Sequence, residues 1–380
     1  MCMKILFITD LYPVKEGEKT TPKTLHNFVI SWIKKGHSVD VIKPNFVFNS
    51  FLRKKPFYKT GFYDYDSVKI FNVNYFLPFI GKIENKLPNN LDIYAYDIVI
   101  AHMPSGIIFA DILCQKYKKP LVTGVHSSDL KIICDPKYSV YFKPKLIKAF
   151  NNAKKIACRS FVLQKKFCTL FPQLANKTFA APSGIDSFVD LESILNSKTP
   201  LSVLTCANLI KRKNIDKIIL AISDTEGLSL NIIGDGKEYS KLKKLAKKSK
   251  NKITFLKRLP HEKVIEEMKK TDIFLLASTD ETFGMVYLEA MASGCITVCS
   301  KNDGIDGIIV DEKNGFLCEP TKEGIKETLI KIKNWHEEGA KKAHFFGAPT
   351  LEKIRETSLQ TIKKLTPEAC ADNYIYNIDV

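Results

Sequence analysis

Residues 271–320 restrict the fold more than any other part of the chain. This segment opens with the apolar run Ile273-Phe274-Leu275-Leu276-Ala277, which predicts a strand buried on both faces. Polar residues follow as far as Gly284, then helix-forming residues over 285–292, and then a second apolar run over 295–300. The order strand, loop, helix, strand predicts a βαβ unit in a parallel sheet.

Two glutamates of this unit are eight residues apart. Glu281 is in the predicted loop, and Glu289 comes eight residues later, in the predicted helix. Eight residues of α-helix turn through about 800°, which returns to nearly the same face. Gly284 stands where backbone amides can face an anion. Because ligands bind outside the carboxyl ends of parallel strands, we predict that both carboxylates face one crevice.

A basic loop opens a further βαβ series in the second half of the chain. An apolar strand is predicted over 201–206, and Lys211, Arg212 and Lys213 then precede a helix predicted from Asn214. Cations beside a helix N-terminus bind phosphate through their charge and through backbone N–H groups. The loop is therefore predicted to bind a diphosphate.

The first half of the chain shows the same alternation of elements. Strands are predicted over 4–10, 37–42 and 120–125, and His126 follows the third of them directly. A side chain at the carboxyl edge of such a strand is placed to reach a ligand. The polar residues 190–200 are predicted to link the two halves. The predicted fold class is therefore α/β, with two Rossmann-like β/α/β domains.

Several motifs in the expected order carry a resemblance to a known family. They are Gly36-His37-Ser38-Val39-Asp40-Val41, Phe283-Gly284, Glu289-Ala290-Met291-Ala292, Asn314-Gly315-Phe316-Leu317 and the Glu281/Glu289 pair. Together they resemble the retaining GT-B glycosyltransferases of family 4 (glycosyl transferases group 1). The resemblance implies two domains that face each other across a cleft. We expect an acceptor-side domain over 1–188, a nucleotide-sugar domain over 189–350, and a C-terminal helix over 351–366 that packs back on the first domain.

The resemblance also implies roles for individual residues. Glu281 would contact the transferred sugar, Glu289 the ribose, and His126 the region of the sugar, while Lys213 would stabilise the diphosphate. The expected catalytic residues are His126, Lys213 and Glu281. The expected substrate-binding residues are Gly17 (phosphates), Asn208 (where the family has Arg) and Arg212, Gly234 in a Gly-x-Gly turn, Arg258 and Leu259 near the base, Phe283, Gly284, Met285 and Val286 near the sugar, and Glu289.

Besides Asn208, the chain departs from the family pattern at three places. Many members carry paired glycines after the first strand, whereas only Gly17 is present here. Ser127 replaces the glycine of His-Gly-x-Asp, and Ser183 stands where asparagine is usual. These departures weaken one expectation most, namely that Gly17 contacts the donor phosphates.

The resemblance predicts a metal-independent enzyme that moves a sugar from a nucleoside diphosphate sugar, such as a UDP-sugar, to an acceptor hydroxyl with retention. No cofactor is expected, and the departing phosphate would accept the acceptor's proton. Asp64-Tyr65-Asp66 is a DxD sequence, but it lies in an irregular aromatic stretch, so no metal site is predicted there.

The charge distribution indicates an anionic partner for the first half. Of the net charge of +17, residues 1–190 carry +14, and residues 43–88 mix aromatic with basic side chains, as membrane interfaces do. We expect a glycan or lipid-linked acceptor in bacterial surface polysaccharide synthesis, peripheral contact with an anionic membrane, and no nucleic acid. No run reaches the length of a membrane span, so a cytoplasmic protein at the inner face of the plasma membrane is expected.

Three other functions remain open from sequence. A nucleotide-sugar 2-epimerase has a similar architecture, and a non-enzymatic nucleic-acid-binding protein would explain the charge. An inactive sugar-nucleotide binder would retain the same motifs. The motifs do not select the base, the sugar or the acceptor.

Overall fold

The computed structural model describes residues 2–13, 21–46, 60–75, 87, 91–138, 140–186, 201–342 and 350–378. The chain forms two compact units. Unit 1 comprises Met1–Arg159, Leu163–Ser183 and Pro367–Val380, and unit 2 comprises Ser160–Val162 and Gly184–Thr366. Each unit contains its own largely parallel sheet. The predicted mixed α/β fold with two parallel-sheet domains is confirmed.

Fourteen strands are present in the described residues. They are β1 (Lys4–Thr9), β2 (Ser38–Phe46), β3 (Gly61–Tyr65), β4 (Val68–Tyr75), β5 (Ile98–His102), β6 (Leu121–Val125), β7 (Lys155–Cys158), β8 (Thr178–Ala180), β9 (Leu201–Cys206), β10 (Leu228–Ile233), β11 (Ile253–Lys257), β12 (Ile273–Leu276), β13 (Ile296–Ser300) and β14 (Phe316–Cys318).

Twelve α-helices are present in the same residues. They are α1 (Thr24–Lys34), α2 (Pro104–Tyr117), α3 (Ser127–Cys134), α4 (Phe142–Asn152), α5 (Phe161–Leu170), α6 (Ile215–Ser223), α7 (Tyr239–Ala246), α8 (His261–Lys269), α9 (Met285–Ala292), α10 (Lys322–Lys342), α11 (Leu351–Lys363) and α12 (Pro367–Ile378). None of the helices that the structure describes is both long and apolar enough to cross a bilayer.

Unit 1 is built on an eight-stranded sheet in the order β3-β4-β2-β1-β5-β6-β7-β8. Every pair is parallel except β3 with β4. All residues of β5 and β6 are buried, because helices cover both faces of such a sheet. The carboxyl ends of β1, β5, β6 and β7 therefore lie side by side at one edge.

Unit 2 is built on a six-stranded parallel sheet in the order β11-β10-β9-β12-β13-β14. The first strand of the series, β9, lies inside the sheet: β10 and β11 extend from one side of it, and β12 to β14 from the other. The strand order thus reverses between β9 and β12. Such a switch point opens a crevice at the carboxyl ends of the two strands.

The C-terminal helices differ from the prediction. The helix expected to return to the first domain was placed at residues 351–366, but α11 packs against α9 and α10 and belongs to unit 2. It is α12 that joins unit 1, where it packs on α1, and the Trp32 indole donates to the Ala371 carbonyl at 3.2 Å. The residues after Thr366 thus form an ordered helix of unit 1.

Several sequence-based expectations fall on residues outside the described ranges. These are Gly17, most of the aromatic and basic stretch within 43–88, and the linker at 190–200.

Candidate functional site

The loops after β9 and β12 meet at the switch point of unit 2. Lys213, at the end of the first loop, donates to Glu281 of the second, and their side chains are only 10% and 17% exposed. The Arg212 guanidinium is 3.5 Å from the same carboxylate and 3.4 Å from the Asp280 carbonyl. Three of the residues named from sequence, Lys213, Arg212 and Glu281, therefore form one cluster.

Local backbone structure fixes this cluster. Lys211–Lys213 is a single 3-10 turn, and Asn214 continues it in the left-handed region with φ of 50°, which asparagine tolerates. The Asn214 side chain donates to the Ala277 carbonyl at 2.8 Å, and the Thr279 N–H donates to the Arg212 carbonyl at 2.8 Å. Main-chain and side-chain hydrogen bonds therefore join the two loops and hold Lys213 close to Glu281.

Asp303 supports Glu281 from the neighbouring strand. It follows β13, is buried, and accepts the Glu281 N–H with both carboxylate oxygens, at 3.0 and 3.2 Å. The sequence analysis missed this residue. The sequence does show a carboxylate shortly after β13. Recognising it as a site residue requires knowing that β13 is the neighbour of β12 in the sheet.

Glu289 lies on α9, and His261 is its partner. The His261 Nε2 is 3.1 Å from a Glu289 oxygen, which joins the start of α8 to α9. Cys206, at the end of β9, is partly buried. Burial raises the pKa of its thiol to about 12, the Glu289 charge acts in the same direction, and the Lys213 charge opposes it. Glu289 and Lys213 therefore share the surroundings of one strand end.

Gly284 sets the start of α9. Its φ is 93°, and a Cβ there would lie 2.5 Å from the Tyr287 ring, so both the conformation and the space require glycine. Phe283 before it is buried, whereas Met285 and Val286 in the first turn are partly exposed. The first turn of α9 thus presents its backbone at the same sheet edge as Glu281.

The other predicted residues of unit 2 lie on the loops after β9, β10 and β11. Gly234 follows β10 with φ of 138°, and a Cβ there would lie 1.9 Å from the Ala207 carbonyl oxygen. Asn208 and Arg258 are exposed and Leu259 is partly exposed. The Gly234 N–H donates to the Lys257 carbonyl at 2.8 Å. These loops all belong to the carboxyl edge of the sheet, so these residues lie along the same edge as Lys213 and Glu281.

His126 lies in unit 1, in a buried polar network. Its Nε2 is 3.0 Å from His102 Nδ1, and His102 Nε2 is 3.1 Å from the Tyr374 hydroxyl of α12. Its backbone N–H donates to Asp129 at 2.6 Å. A Cβ at Gly124 would overlap the His102 ring at 2.0 Å, so glycine makes room for that ring. His102 and Tyr374 were not identified from sequence.

Burial dominates the electrostatics of this network. It lowers the pKa of His126 to about 3, and the nearby Arg159 charge acts in the same direction. Burial, with His126 and Arg159, lowers the pKa of His102 well below its ordinary value. Both rings are therefore neutral at neutral pH. The Arg159 guanidinium donates to the Ala181 carbonyl at 2.6 Å and to Ser183, which gives Ser183 a partner within unit 1.

The second aspartate of the DxD sequence has other partners. Asp66 lies in the β3–β4 turn, where Lys23 Nζ and His26 Nε2 are 3.2 and 3.1 Å from its carboxylate. Within the described ranges, no group of three or more His, Cys, Asp or Glu side chains gathers as metal ligands would.

Two family profiles match the chain along most of its length. The profile described as Glycosyltransferase Family 4 matches residues 22–187, and the profile described as Glycosyl transferases group 1 matches residues 189–344. The two matches correspond to the two halves that each contribute a parallel sheet.

Individual proteins are similar to the chain as well. An uncharacterized glycosyltransferase of Methanocaldococcus jannaschii is 27% identical over 250 residues, which cover 65% of this chain and 68% of that protein. A probable sucrose-phosphate synthase of Thermosipho melanesiensis is 29% identical over 230 residues, and the match covers 56% of this chain and 50% of that protein.

Solved structures share the fold at low sequence identity. A sucrose-phosphate synthase of Thermosynechococcus elongatus superposes with a TM-score of 0.72 at 14% identity, covering 98% of this chain and 97% of its own. Anabaena HepE in complex with UDP superposes with a TM-score of 0.69 at 19% identity, covering 99% of this chain and all of its own. The two parallel-sheet units thus define a protein of the GT-B fold class.

The family follows from the two profiles together with this fold. The chain belongs to the group 1 glycosyltransferases, family 4. It is accordingly an enzyme of the glycosyltransferase class.

Proposed function

We propose that the protein transfers a sugar from a nucleoside diphosphate sugar to an acceptor hydroxyl, with retention at the anomeric carbon and without a metal ion. The observation that carries the proposal is the pairing of Lys213 with Glu281 at the switch point of unit 2. The HepE structure, which was obtained with UDP, supports a nucleoside diphosphate donor and favours uridine among the bases to be tried first.

The two basic residues are suited to the diphosphate. A lysine ammonium has three N–H donors, and one of them bonds to Glu281. The others remain for phosphate oxygens, and Arg212 adds a second positive charge from the solvent side. As the bond to the sugar breaks, negative charge grows on the leaving diphosphate, and cations fixed in advance stabilise it. These cations supply the charge that a metal ion supplies in other phosphate sites.

The two glutamates are suited to the two sugars of the donor. Glu281, whose N–H is held by Asp303, would accept hydroxyl hydrogens of the transferred sugar. Glu289, held by His261, would accept those of the ribose. The first turn of α9 would bind the far edge of the transferred sugar through backbone N–H groups. In this proposal the departing phosphate removes the acceptor's proton.

The acceptor proposed is a glycan or a lipid-linked glycan of bacterial surface polysaccharide synthesis. The charge of residues 1–190 supports it, because an excess of +14 attracts phosphate-bearing acceptors and anionic surfaces. The protein would then work at the inner face of the plasma membrane.

The stereochemistry of the product tests the proposal. Donor and acceptor are incubated with the protein, with and without EDTA, and the anomeric proton of the new linkage is followed by NMR. We expect the donor's configuration in the product, the same rate with EDTA, and no product with Glu281→Gln. An inverted product, or a rate that EDTA abolishes and Mg²⁺ restores, would contradict it.

A further inference from the structure

A surface of unit 1 combines lysines with exposed apolar side chains, and no residue of the donor site lies on it. It is formed by α4 and the turn that precedes it, and we call it the α4 surface: Lys137, Val140, Tyr141, Lys143, Ile147 and Lys148. The Val140 side chain is 89% exposed. Tyr141 and Ile147 are partly exposed beside it, so apolar and lysine side chains share this surface.

A groove runs along the outer side of α4. Its volume is about 570 Å³, and it is lined by Lys143, Pro144, Ile147, Lys148 and Asn151. The lining thus alternates aliphatic surface with two ammonium groups. Lysines in such places lay their methylene chains on apolar surface and hold the charged end outward.

The charge of this region is strongly one-sided. Residues 131–151 contain five lysines and one acidic residue, Asp135. That carboxylate is already 3.0 Å from Lys137. Lys137 and Lys145 also lie 4.8 Å from the ring centres of Tyr138 and Tyr141. Aromatic rings with lysines above them, beside an exposed aliphatic side chain, resemble the composition of the headgroup zone of a bilayer.

The surface is presented by a firmly packed helix. The opposite face of α4 buries Leu146, Ala149 and Phe150 in the core of unit 1, and α4 packs against α2 and α3. The Phe150 ring also contacts Phe167 edge-on at 5.1 Å. The outward face therefore keeps its composition without any rearrangement.

We propose that the α4 surface docks the protein on an anionic lipid bilayer, with Val140 entering the interface and the lysines contacting lipid phosphates. Charge complementarity supports a polyanion. The apolar side chains of Val140, Tyr141 and Ile147 beside the lysines favour a bilayer among polyanions, because a nucleic-acid backbone offers them no apolar environment. The inference rests on the proposed function in one respect: a lipid-linked acceptor lies in such a surface.

Vesicle sedimentation tests the proposal. The full chain is mixed with vesicles of phosphatidylcholine alone or with phosphatidylglycerol, over a range of salt concentrations. We expect binding only with phosphatidylglycerol, and weaker binding as salt rises. The double variant Lys143→Ala/Lys148→Ala should partition about 30-fold more weakly, since each lysine near an anionic surface contributes about fivefold. Val140→Asp should weaken binding although every lysine remains.

The matched control removes the same charge from another lysine-rich helix. Lys244 of α7 and Lys247 just after it are both exposed, and Lys244→Ala/Lys247→Ala should bind vesicles as the unchanged protein does. Equal losses in both double variants would overturn the proposal, as would binding that ignores phosphatidylglycerol. Binding of duplex DNA, but not vesicles, that depends on Lys143 and Lys148 would overturn it in favour of a nucleic-acid surface.

Thermal stabilisation by sugar nucleotides separates this proposal from the proposed function. Folded α4 variants should respond to donor as the unchanged protein does. If the unchanged protein binds phosphatidylglycerol vesicles through α4 but no sugar nucleotide, the donor assignment fails and the docking surface stands. If it binds donor but no vesicle, the docking surface fails alone.

Discussion

Lys213 and Glu281 depend on each other because both side chains are largely buried at the same sheet edge. A buried charge without a partner is costly, and here each charge is the other's partner. Arg212 is 43% exposed and 3.5 Å from the same carboxylate, so water already screens it. The two neighbouring cations should therefore differ in their importance for the reaction.

Single substitutions measure that difference. We expect Lys213→Ala to lower kcat by about 100-fold or more, the usual effect of removing a fixed group that stabilises transition-state charge. Arg212→Ala should cost less than about tenfold, since exposed pairs contribute little. Steady-state kinetics with one donor and one acceptor give both values. A larger loss for Arg212→Ala than for Lys213→Ala would show that Lys213 is not the main cation that stabilises the diphosphate.

The buried histidines predict a pH dependence of stability in unit 1. The pKa of His126 falls from 6.5 to about 3 in the folded protein, so between these values the unfolded chain binds the proton preferentially. The free energy of unfolding should then fall as pH decreases below 6.5, by up to about 1.4 kcal/mol per pH unit for this residue. His102 acts in the same direction, whereas Asp129, whose pKa burial raises, acts in the opposite one.

Urea unfolding at pH 7, 6 and 5 isolates the contribution of His126. We expect the unchanged protein to lose about 1 kcal/mol more per pH unit than His126→Gln, because glutamine keeps a polar side chain but does not titrate in this range. Parallel pH profiles for the two proteins would show that His126 is not held neutral by burial.

At the scale of elements, α12 is the part of the fold with the clearest structural contribution. Tyr374 is fully buried, and its ring contacts those of Phe28, Trp32 and Phe179 at 5.3 to 5.4 Å. Its hydroxyl is also bonded to His102. The helix thus closes the core of unit 1 from a distant part of the sequence.

Two tyrosines on this helix form a natural pair for comparison. Tyr374→Ala should lower the free energy of unfolding by about 3–5 kcal/mol, as expected when a buried aromatic ring is removed. Tyr376 is 74% exposed, and Tyr376→Ala should change it by less than about 0.5 kcal/mol. Thermal and denaturant unfolding give both values. Similar small changes for the two variants would mean that α12 does not stabilise unit 1.

The elements that could be predicted from sequence are those with a local pattern. The strand at 273–276, the glycine that starts α9 and the basic turn before α6 each follow from neighbouring residues. The destination of α12 could not be predicted, because the sequence of a helix shows its apolar face but not the surface that covers it. For the same reason, the helix expected to pack back on the first domain was taken to be α11, whose apolar face instead packs in unit 2.

The candidate site shows the same limit. Glu281, Glu289 and Lys213 could be proposed as site residues because motif spacing and loop composition single them out without knowledge of the sheet. Asp303 and His261 were missed because their contacts depend on the strand order of unit 2 and on the meeting of α8 with α9. His102 was missed because a strand-end histidine gains a role only when β5 and β6 are known to be neighbours.

At the scale of the whole molecule, each unit carries a polar site at the carboxyl edge of its own sheet. In unit 2 that edge gathers charged residues around a switch point, and in unit 1 it gathers neutral, buried histidines. The positive charge lies mostly in the first half of the sequence. This division agrees with a donor site in unit 2 and an acceptor or surface contact in unit 1.

Thermal unfolding with a panel of nucleoside diphosphate sugars tests the central claim most directly. We predict that at least one of them raises Tm as the logarithm of its concentration increases. At 100 times its Kd, this donor should add about 2.7 kcal/mol to the free energy of unfolding. Lys213→Ala and Glu289→Ala should lose most of this stabilisation, while Lys244→Ala, which changes an exposed side chain of α7, keeps it. No response to any donor, or an equal response in all variants, would contradict the account.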